Sequence, residues 1–581
     1  MQTGFSFFTP LNRWLIGLVA ALATTSALGA AFKLKIEGVD DVLKDNVRVY
    51  LERWDSLPDT DSSAFQQRLE NTVRTALQPL GYYEPSISYT VSAEKLSLSI
   101  NPGPPIRWGV SNVSVPIETD HMVESLQKAL MATPFKTGEV INHPVYDSYK
   151  KTILSQVQQH GFLDARWQTS KLQIDIENHE ARALLIMAPG PRYRLKDIVI
   201  TGTQLNDKTV HNLINLETGQ WYDADDFGTA YQDLLGSGYF KYANFNLKKS
   251  EPGEANLNVE LTEQPRDHYS TGIGYGTDTG PRAKLGWRRN RVNKRGDSLS
   301  MNLQVSGIGE ELTSEYRIPW YHPLDRYISW NTGYQHEDLE DQESKLLTTG
   351  INFNRVKQRN WQYRYGINLE NESYRQGSKP EENVTYLLPN FSYRKSTNFS
   401  RDDGSRLASN QFWFSSAYGH GLDESELRFV SVDIGTSLTL NLSQRNSIAT
   451  RLELAAIETD DFSLVPVTKR YYTGGDQTVR GFKYETLAPE DSDGELIGGQ
   501  YLNVASMEYR YEFIPKWKLA TFVDTGRAYI DDNADFHTGA GVGVRWDMPV
   551  GMLAFDVARP ISDEAPEDDK LTFHLYLSMV L

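Results

Sequence analysis

From His268 to Leu581 the chain runs for 314 residues in which apolar and polar side chains alternate along short segments broken by polar turns, with almost no helical periodicity. A period of two marks a strand whose faces meet different media. Sixteen such segments can be marked, at about 268–277, 282–290, 297–306, 310–319, 326–336, 343–355, 359–371, 383–395, 407–418, 427–441, 446–457, 500–512, 516–529, 535–547, 551–559 and 570–580. In the last, Leu571, Phe573, Leu575, Leu577 and Met579 alternate with Thr572, His574, Tyr576 and Ser578; in the eleventh, Ile448, Thr450, Leu452 and Leu454 alternate with Arg451 and Glu453. An even number of strands, apolar on one face and polar on the other, predicts an antiparallel transmembrane β-barrel over 267–581. The 31 Tyr, 12 Trp and 43 Gly suit it.

After the first thirty residues no apolar run approaches the ~20 residues of a membrane helix. The N-terminus carries Arg13, an apolar run from Trp14 to Ala23, and then small residues. That is the pattern of a secretory signal peptide over 1–30, with small residues spaced for cleavage at both Ala27-Leu28-Gly29 and Gly29-Ala30-Ala31. There is no cysteine, so disulfides, thiol nucleophiles and thiolate metal sites are excluded, and the net charge of −17 argues against nucleic acid as a partner.

Between Phe32 and Asp267 the chain repeats. Gly81-Tyr82-Tyr83, Gly161-Phe162-Leu163 and Gly238-Tyr239-Phe240 each follow a helical stretch (Ser63 to Leu80, Val145 to His160, Asp223 to Leu235), where glycine is the expected helix C-cap. Each unit closes on a proline turn: Pro102-Gly103-Pro104-Pro105, Pro189-Gly190-Pro191, then Pro265. The order β-α-α-β-β resembles the POTRA domain, an α+β periplasmic module that recruits partners by edge-strand addition. The expected boundaries are 31–104, 105–190 and 191–266.

Loop charge sorts with strand parity. Connections after odd strands are acidic, as at Glu337, Asp338, Glu340, Asp341 and Glu343; those after even strands lean basic, as at Arg288, Arg289, Arg291, Lys294 and Arg295. With periplasmic N-terminal domains, the odd loops are extracellular. The longest of them, Glu458 to Gly499, is the sixth extracellular loop and contains Val479-Arg480-Gly481-Phe482. This motif behind tandem POTRA domains resembles the superfamily of outer-membrane assembly factors and two-partner secretion transporters. The resemblance implies that the loop folds into the lumen and that Arg480 meets an acidic residue on the strand Phe522-Val523-Asp524-Thr525-Gly526. Alternation puts Phe522, Asp524 and Gly526 on one face, which makes Asp524 the expected partner and Glu508, inward on the preceding strand with Arg510, a second.

Members of this superfamily are thought to open where the first and last strands meet. The expected seam holds Gly272, Gly274 and Gly276 on the first strand and Phe573 and Leu575 on the last; the glycines fit a weakly held edge or simple barrel curvature equally well. Three POTRA domains with sixteen strands are most similar to the translocation and assembly module branch. That branch implies an outer-membrane location, insertion or secretion of autotransporters and other β-barrel clients, contact with outer-membrane lipid, and a TamB-like periplasm-spanning partner meeting the first POTRA domain. The alternative within the superfamily is a two-partner transporter exporting a soluble polypeptide through the lumen. No catalytic, cofactor or metal site is expected: Gly272-x-Gly274-x-Gly276 and Gly539-x-Gly541-x-Gly543 lack dinucleotide-loop spacing, no Gly-x-Ser-x-Gly elbow, Walker loop or His-Glu-x-x-His occurs, and His179-Glu180 reads as a turn.

Overall fold

A computed structural model describes residues 32–579 except 55–61, 93–94, 118–123, 340, 358–359, 402, 423–425, 550 and 563–570. The expected signal peptide lies outside the described residues, as do Glu340 and the chain's last two residues. The chain divides into two compact units. One holds the described residues up to Asp197 with Thr218–Asp225 and Lys249–Asn256; the other holds Ile198–Glu217, Asp226–Lys248 and Leu257 onward.

In the first unit, β1 (Lys33–Glu37), α1 (Asp41–Leu51), α2 (Ser63–Leu77), β2 (Ser86–Ser92) and β3 (Lys95–Asn101) form a sheet of order β1-β3-β2 under two helices. Asp40 and Ser62 cap the helices by accepting from the N–H of Leu43 and Phe65. The core is Val47, Leu51, Leu69, Val73, Leu77 and Leu96 with their neighbours. The next module repeats the plan with α3 (Glu124–Met131), α4 (His143–Gln159), β6 (Arg166–Asp175) and β7 (Glu180–Ala188); its first strand is broken into β4 (Arg107–Trp108) and β5 (Asn112–Ser114), both parallel to β7. The repeated glycine explains itself here. Gly81 and Gly161 sit at φ +94° and +97°, and their carbonyls accept from Ile106 and Tyr193, the residues just past the proline turns, at 2.8 Å each. A third sheet has the order β8-β10-β9, from β8 (Arg194–Thr201), β9 (Phe240–Glu251) and β10 (Glu254–Glu263), with α5 (Asp207–Ile214) and α6 (Ala224–Gly236).

The barrel closes from sixteen antiparallel strands in sequence order. They are β11 (Asp267–Gly276), β12 (Gly280–Arg289), β13 (Ser298–Ser306), β14 (Gly309–Pro319), β15 (Arg326–Leu339), β16 (Gln342–Lys357), β17 (Trp361–Gln376), β18 (Glu382–Ser400), β19 (Arg406–Gly421), β20 (Arg428–Asn441), β21 (Asn446–Thr459), β22 (Tyr501–Ile514), β23 (Trp517–Tyr529), β24 (His537–Met548), β25 (Gly551–Pro560) and β26 (Thr572–Met579). Each overlaps one expected segment. Leu452, Leu454 and Phe573 are more than half exposed on the outer face, whereas Glu508, Asp524 and His574 are buried inward.

Within the second unit, α5 and the corner after α6 grip the turns after the even strands. Asn206 N–H donates to the Lys294 carbonyl at 2.8 Å, Thr209 Oγ1 to Arg295 O at 3.0 Å, and Tyr239 Oη to Gly296 O at 2.6 Å. The basic run expected there is not a free patch. Arg289 forks onto Asp267 at 2.8 and 2.9 Å, Arg291 meets Glu263, and Arg295 forks onto a fully buried Asp297. A lipid-facing charge in mid-strand is costly: Leu452→Arg is expected to lower barrel stability by about 2–4 kcal/mol. Urea unfolding in lipid vesicles, read by the heat-modifiable gel mobility of the folded barrel, checks it.

Candidate functional site

Between β21 and β22 the sixth outer loop turns into the lumen and is anchored on two walls. On one, Thr468 donates from its N–H (3.2 Å) and Oγ1 (2.6 Å) to the two oxygens of Glu372, and Lys469 pairs with Glu370 at 2.7 Å. Tyr386 Oη also donates to Glu370, at 2.9 Å. Arg470, buried, donates to the carbonyls of Val465, Ser463 and Ile497 and to Gln376 Oε1.

The other wall receives the Val479-Arg480-Gly481-Phe482 motif. Arg480 forks onto Asp524, Nε to Oδ2 at 2.6 Å and Nη2 to Oδ1 at 3.0 Å, and its backbone N–H reaches the same carboxylate at 3.2 Å. Its Nη1 donates to Glu508 at 2.7 Å and to Asp556 at 3.1 Å, and its guanidinium lies 3.4 Å over the Phe522 ring. Arg545 and Arg510 complete the cluster: Arg545 bonds Glu508 and Asp556, Arg510 bonds Glu508, and Ser506 Oγ donates to Asp524. Three guanidinium groups thus face three carboxylates, so every buried charge has an opposite. Val479 and Phe482 are fully buried with Leu487 in a small apolar cluster.

Glycines make the room. A Cβ on Gly539 would stand 1.9 Å from the Arg480 carbonyl oxygen, one on Gly541 2.5 Å from the Phe522 ring, and one on Gly543 1.7 Å from an Asp556 oxygen. The Gly539-x-Gly541-x-Gly543 repeat is therefore a trough in β24 for the docked motif and its acidic partners. Gly481 itself sits at φ +104° with its Cβ direction 3.0 Å from the Arg559 backbone.

Asp524 and Glu508 both accept from Arg480. Asp556, Arg545, Glu370 and Glu372 were not singled out. Each lies at an inward phase of its strand, as in Phe555-Asp556-Val557, so a scan for inward charges would have found them. Of the seam residues, Gly276 pairs with Tyr576 and the Leu575 carbonyl accepts from Thr277 N–H at 3.3 Å. Gly272 and Gly274 pair with Lys284 and Arg282 of β12, and Phe573 stacks on Phe555; among the described residues none of these three pairs across the seam. Where the other junctions pair over seven registers or more, as β12 and β13 do, β11 and β26 share one among the described residues.

Residues 292–579 match the Omp85 superfamily domain, residues 33–102 the POTRA domain TamA domain 1, and residues 193–264 a POTRA family described as a surface antigen variable number repeat. The chain belongs to the Omp85 superfamily. The outer membrane protein assembly factor BamA of Nitratidesulfovibrio vulgaris is 21% identical over 94% of this chain and 72% of the relative; that of Neisseria meningitidis is 20% identical over 83% and 68%. The structure of BamA from Haemophilus ducreyi lacking POTRA domains 1–3 shares the fold, with a TM-score of 0.66 at 17% identity over 81% of this chain and 99% of that one. This Omp85 chain is an outer-membrane protein, its barrel in the membrane and its POTRA domains on the periplasmic side.

Two predictions follow from the dock. Asp524→Ala leaves Arg480 buried and short of its main partner, a loss of ~3–5 kcal/mol in loop docking; hydrogen exchange of residues 474–487 is expected to accelerate accordingly. Glu485, in the same loop, is half-buried near Glu337 and accepts from Gln342 Nε2 at 3.2 Å. Burial, and then the charge of Glu337, push its carboxyl up to about 7. A docked loop therefore holds a proton that a free loop with an ordinary carboxylate releases, so docking is firmest below the free value and weakens as pH rises toward and through 7. Exchange protection, corrected for intrinsic rate, is expected to fall from pH ~5 to pH ~8, and Glu485→Gln is expected to flatten the profile.

Proposed function

We propose that this chain is the outer-membrane component of a translocation and assembly module, a TamA-like protein that promotes insertion or secretion of autotransporters and other β-barrel clients through the seam between β11 and β26. The observation that carries this reading is the seam itself, where two neighbouring strands in a closed barrel share one register pair among the described residues. Their unpaired N–H and C=O groups are the template onto which an incoming strand adds. Lipid, which offers no hydrogen bonds, makes that pairing the favourable outcome for a client strand, so no nucleotide or cofactor is needed to drive it. The match of residues 33–102 to the POTRA domain TamA domain 1 supports the finer assignment, and the relatives named as assembly factors support the general one. A TamB-like periplasm-spanning protein is the expected partner of the first POTRA domain.

A disulfide between Gly276→Cys and Tyr576→Cys, in a chain with no other cysteine, is expected to stop assembly of an autotransporter client in vesicles and to restore it on reduction. Undiminished assembly with the seam locked would refute the gate. Deleting residues 32–104 is expected to lose a TamB-like protein from pull-downs of solubilised membranes; recovery of a secreted exoprotein alone would move the assignment to a two-partner transporter.

A further inference from the structure

At the seam the last strand, the first hairpin and the sixth loop meet on one side chain. His574 of β26 is 2% exposed and faces the lumen. Its Nε2 accepts the Gly481 N–H at 3.0 Å, and beside it Thr572 Oγ1 donates to the Gly481 carbonyl at 2.9 Å. A ring nitrogen that accepts carries no proton, so the imidazole proton sits on Nδ1. That nitrogen faces Asp278 Oδ1 at 3.7 Å, in the turn between β11 and β12. The other oxygen of Asp278 accepts the N–H of Asp476, again in loop six, at 2.7 Å. Loop six thus bridges the seam by itself: Gly481 is held by His574 and Thr572 of β26, and Asp476 by Asp278 of the first hairpin, while His574 Nδ1 makes no hydrogen bond among the described residues.

We infer that His574 is a positioning residue that makes docking of the Val479-Arg480-Gly481-Phe482 motif and closure of the extracellular end of the seam one event. The strand ladder is too short there to do so alone. Beyond the Gly276 and Tyr576 pair, the described bonds across the seam are Thr277 N–H to Leu575 O, Leu575 N–H to Thr277 Oγ1, both at 3.3 Å, and Arg282 Nη2 to Leu577 O at 3.4 Å. Arg282 reaches there by lying over Gly274, where a Cβ would meet its Nε at 3.1 Å. It touches no loop-six atom among the described bonds, so it ties the seam without sensing the loop. His574 belongs to a strand of the seam and holds the loop. A tie made by both elements is reciprocal by thermodynamic necessity: releasing the loop loosens the seam, and prying the seam open loosens the loop by the same factor. A client strand arriving at β11 then frees the loop that caps the lumen.

This inference rests on the proposed seam gate for its biological use but is tested without a client. The Gly276→Cys, Tyr576→Cys chain reports seam closure by its rate of oxidative cross-linking, and heat-modifiable mobility confirms that each variant is folded. Asp524→Asn, which releases Arg480, is expected to slow cross-linking about fivefold, the weight of one or two buried hydrogen bonds. His574→Phe is expected to slow it and to speed hydrogen exchange of residues 474–487, and adding Asp524→Asn to it is expected to slow cross-linking by clearly less than Asp524→Asn does alone, the Thr572 tie remaining. Arg282→Gln is expected to slow cross-linking while leaving loop exchange unchanged. The relay is overturned if Asp524→Asn frees the loop at an unaltered cross-linking rate, or if its effect persists in full beside His574→Phe; should the phenylalanine variant not fold, His574→Gln is read by the same two criteria. Loss of coupling sinks the relay alone, whereas the seam-lock assay with a client decides the gate.

Discussion

A guanidinium from an outer loop held inside a barrel sets the terms for everything around it. Taking Arg480 out of bulk water costs several kcal/mol unless its hydrogen bonds are remade in full. Here Asp524, Glu508 and Asp556 do so from three separate strands, β23, β22 and β25. Three carboxylates around one cation would over-correct, and Arg545 and Arg510 restore the balance. The glycine trough in β24 then follows from geometry, because a loop backbone can approach the wall this closely only where no Cβ stands in the way.

The second anchor, at Glu370 and Glu372, lies on β17, so the loop is tethered to the wall on two separate groups of strands. Both anchors use carboxylates from the wall and cations or N–H groups from the loop. The seam lies beside the first anchor. Strand β26 gives the dock His574 and Thr572 while making almost no ladder with β11, so the weakest junction in the barrel is also the one most dependent on the loop. Under the proposed seam gate, a closure made of a few side-chain bonds would yield to a client strand more readily than a full ladder.

Much of this was legible in the residues. Period-two alternation located all sixteen strands because lipid and lumen impose opposite demands on successive side chains. The helix-capping glycines revealed the repeat because only that residue takes the left-handed turn cheaply. The loop motif pointed to Asp524 and Glu508. Alternation states which face a residue occupies but not what lies opposite it, so Asp556, Arg545 and the role of His574 emerged only with the barrel closed. The Gly539-x-Gly541-x-Gly543 run read as plain strand for the same reason: its purpose is set by a loop some sixty residues earlier in the chain. The basic run after the second strand has its acidic partners, Glu263, Asp267 and Asp297, on either side of it, a pairing that the charge of the connection alone did not show.

The most direct measurement places a photo-crosslinking residue at Tyr275, on the exposed outer face of β11, and irradiates the chain while a stalled autotransporter client is bound. The account predicts cross-links to the client's terminal strand at Tyr275 and none from the same probe at Asn331 on the far lumen wall. Cross-links at Asn331 without any at Tyr275 would mean that the client travels through the lumen and would contradict a lateral seam.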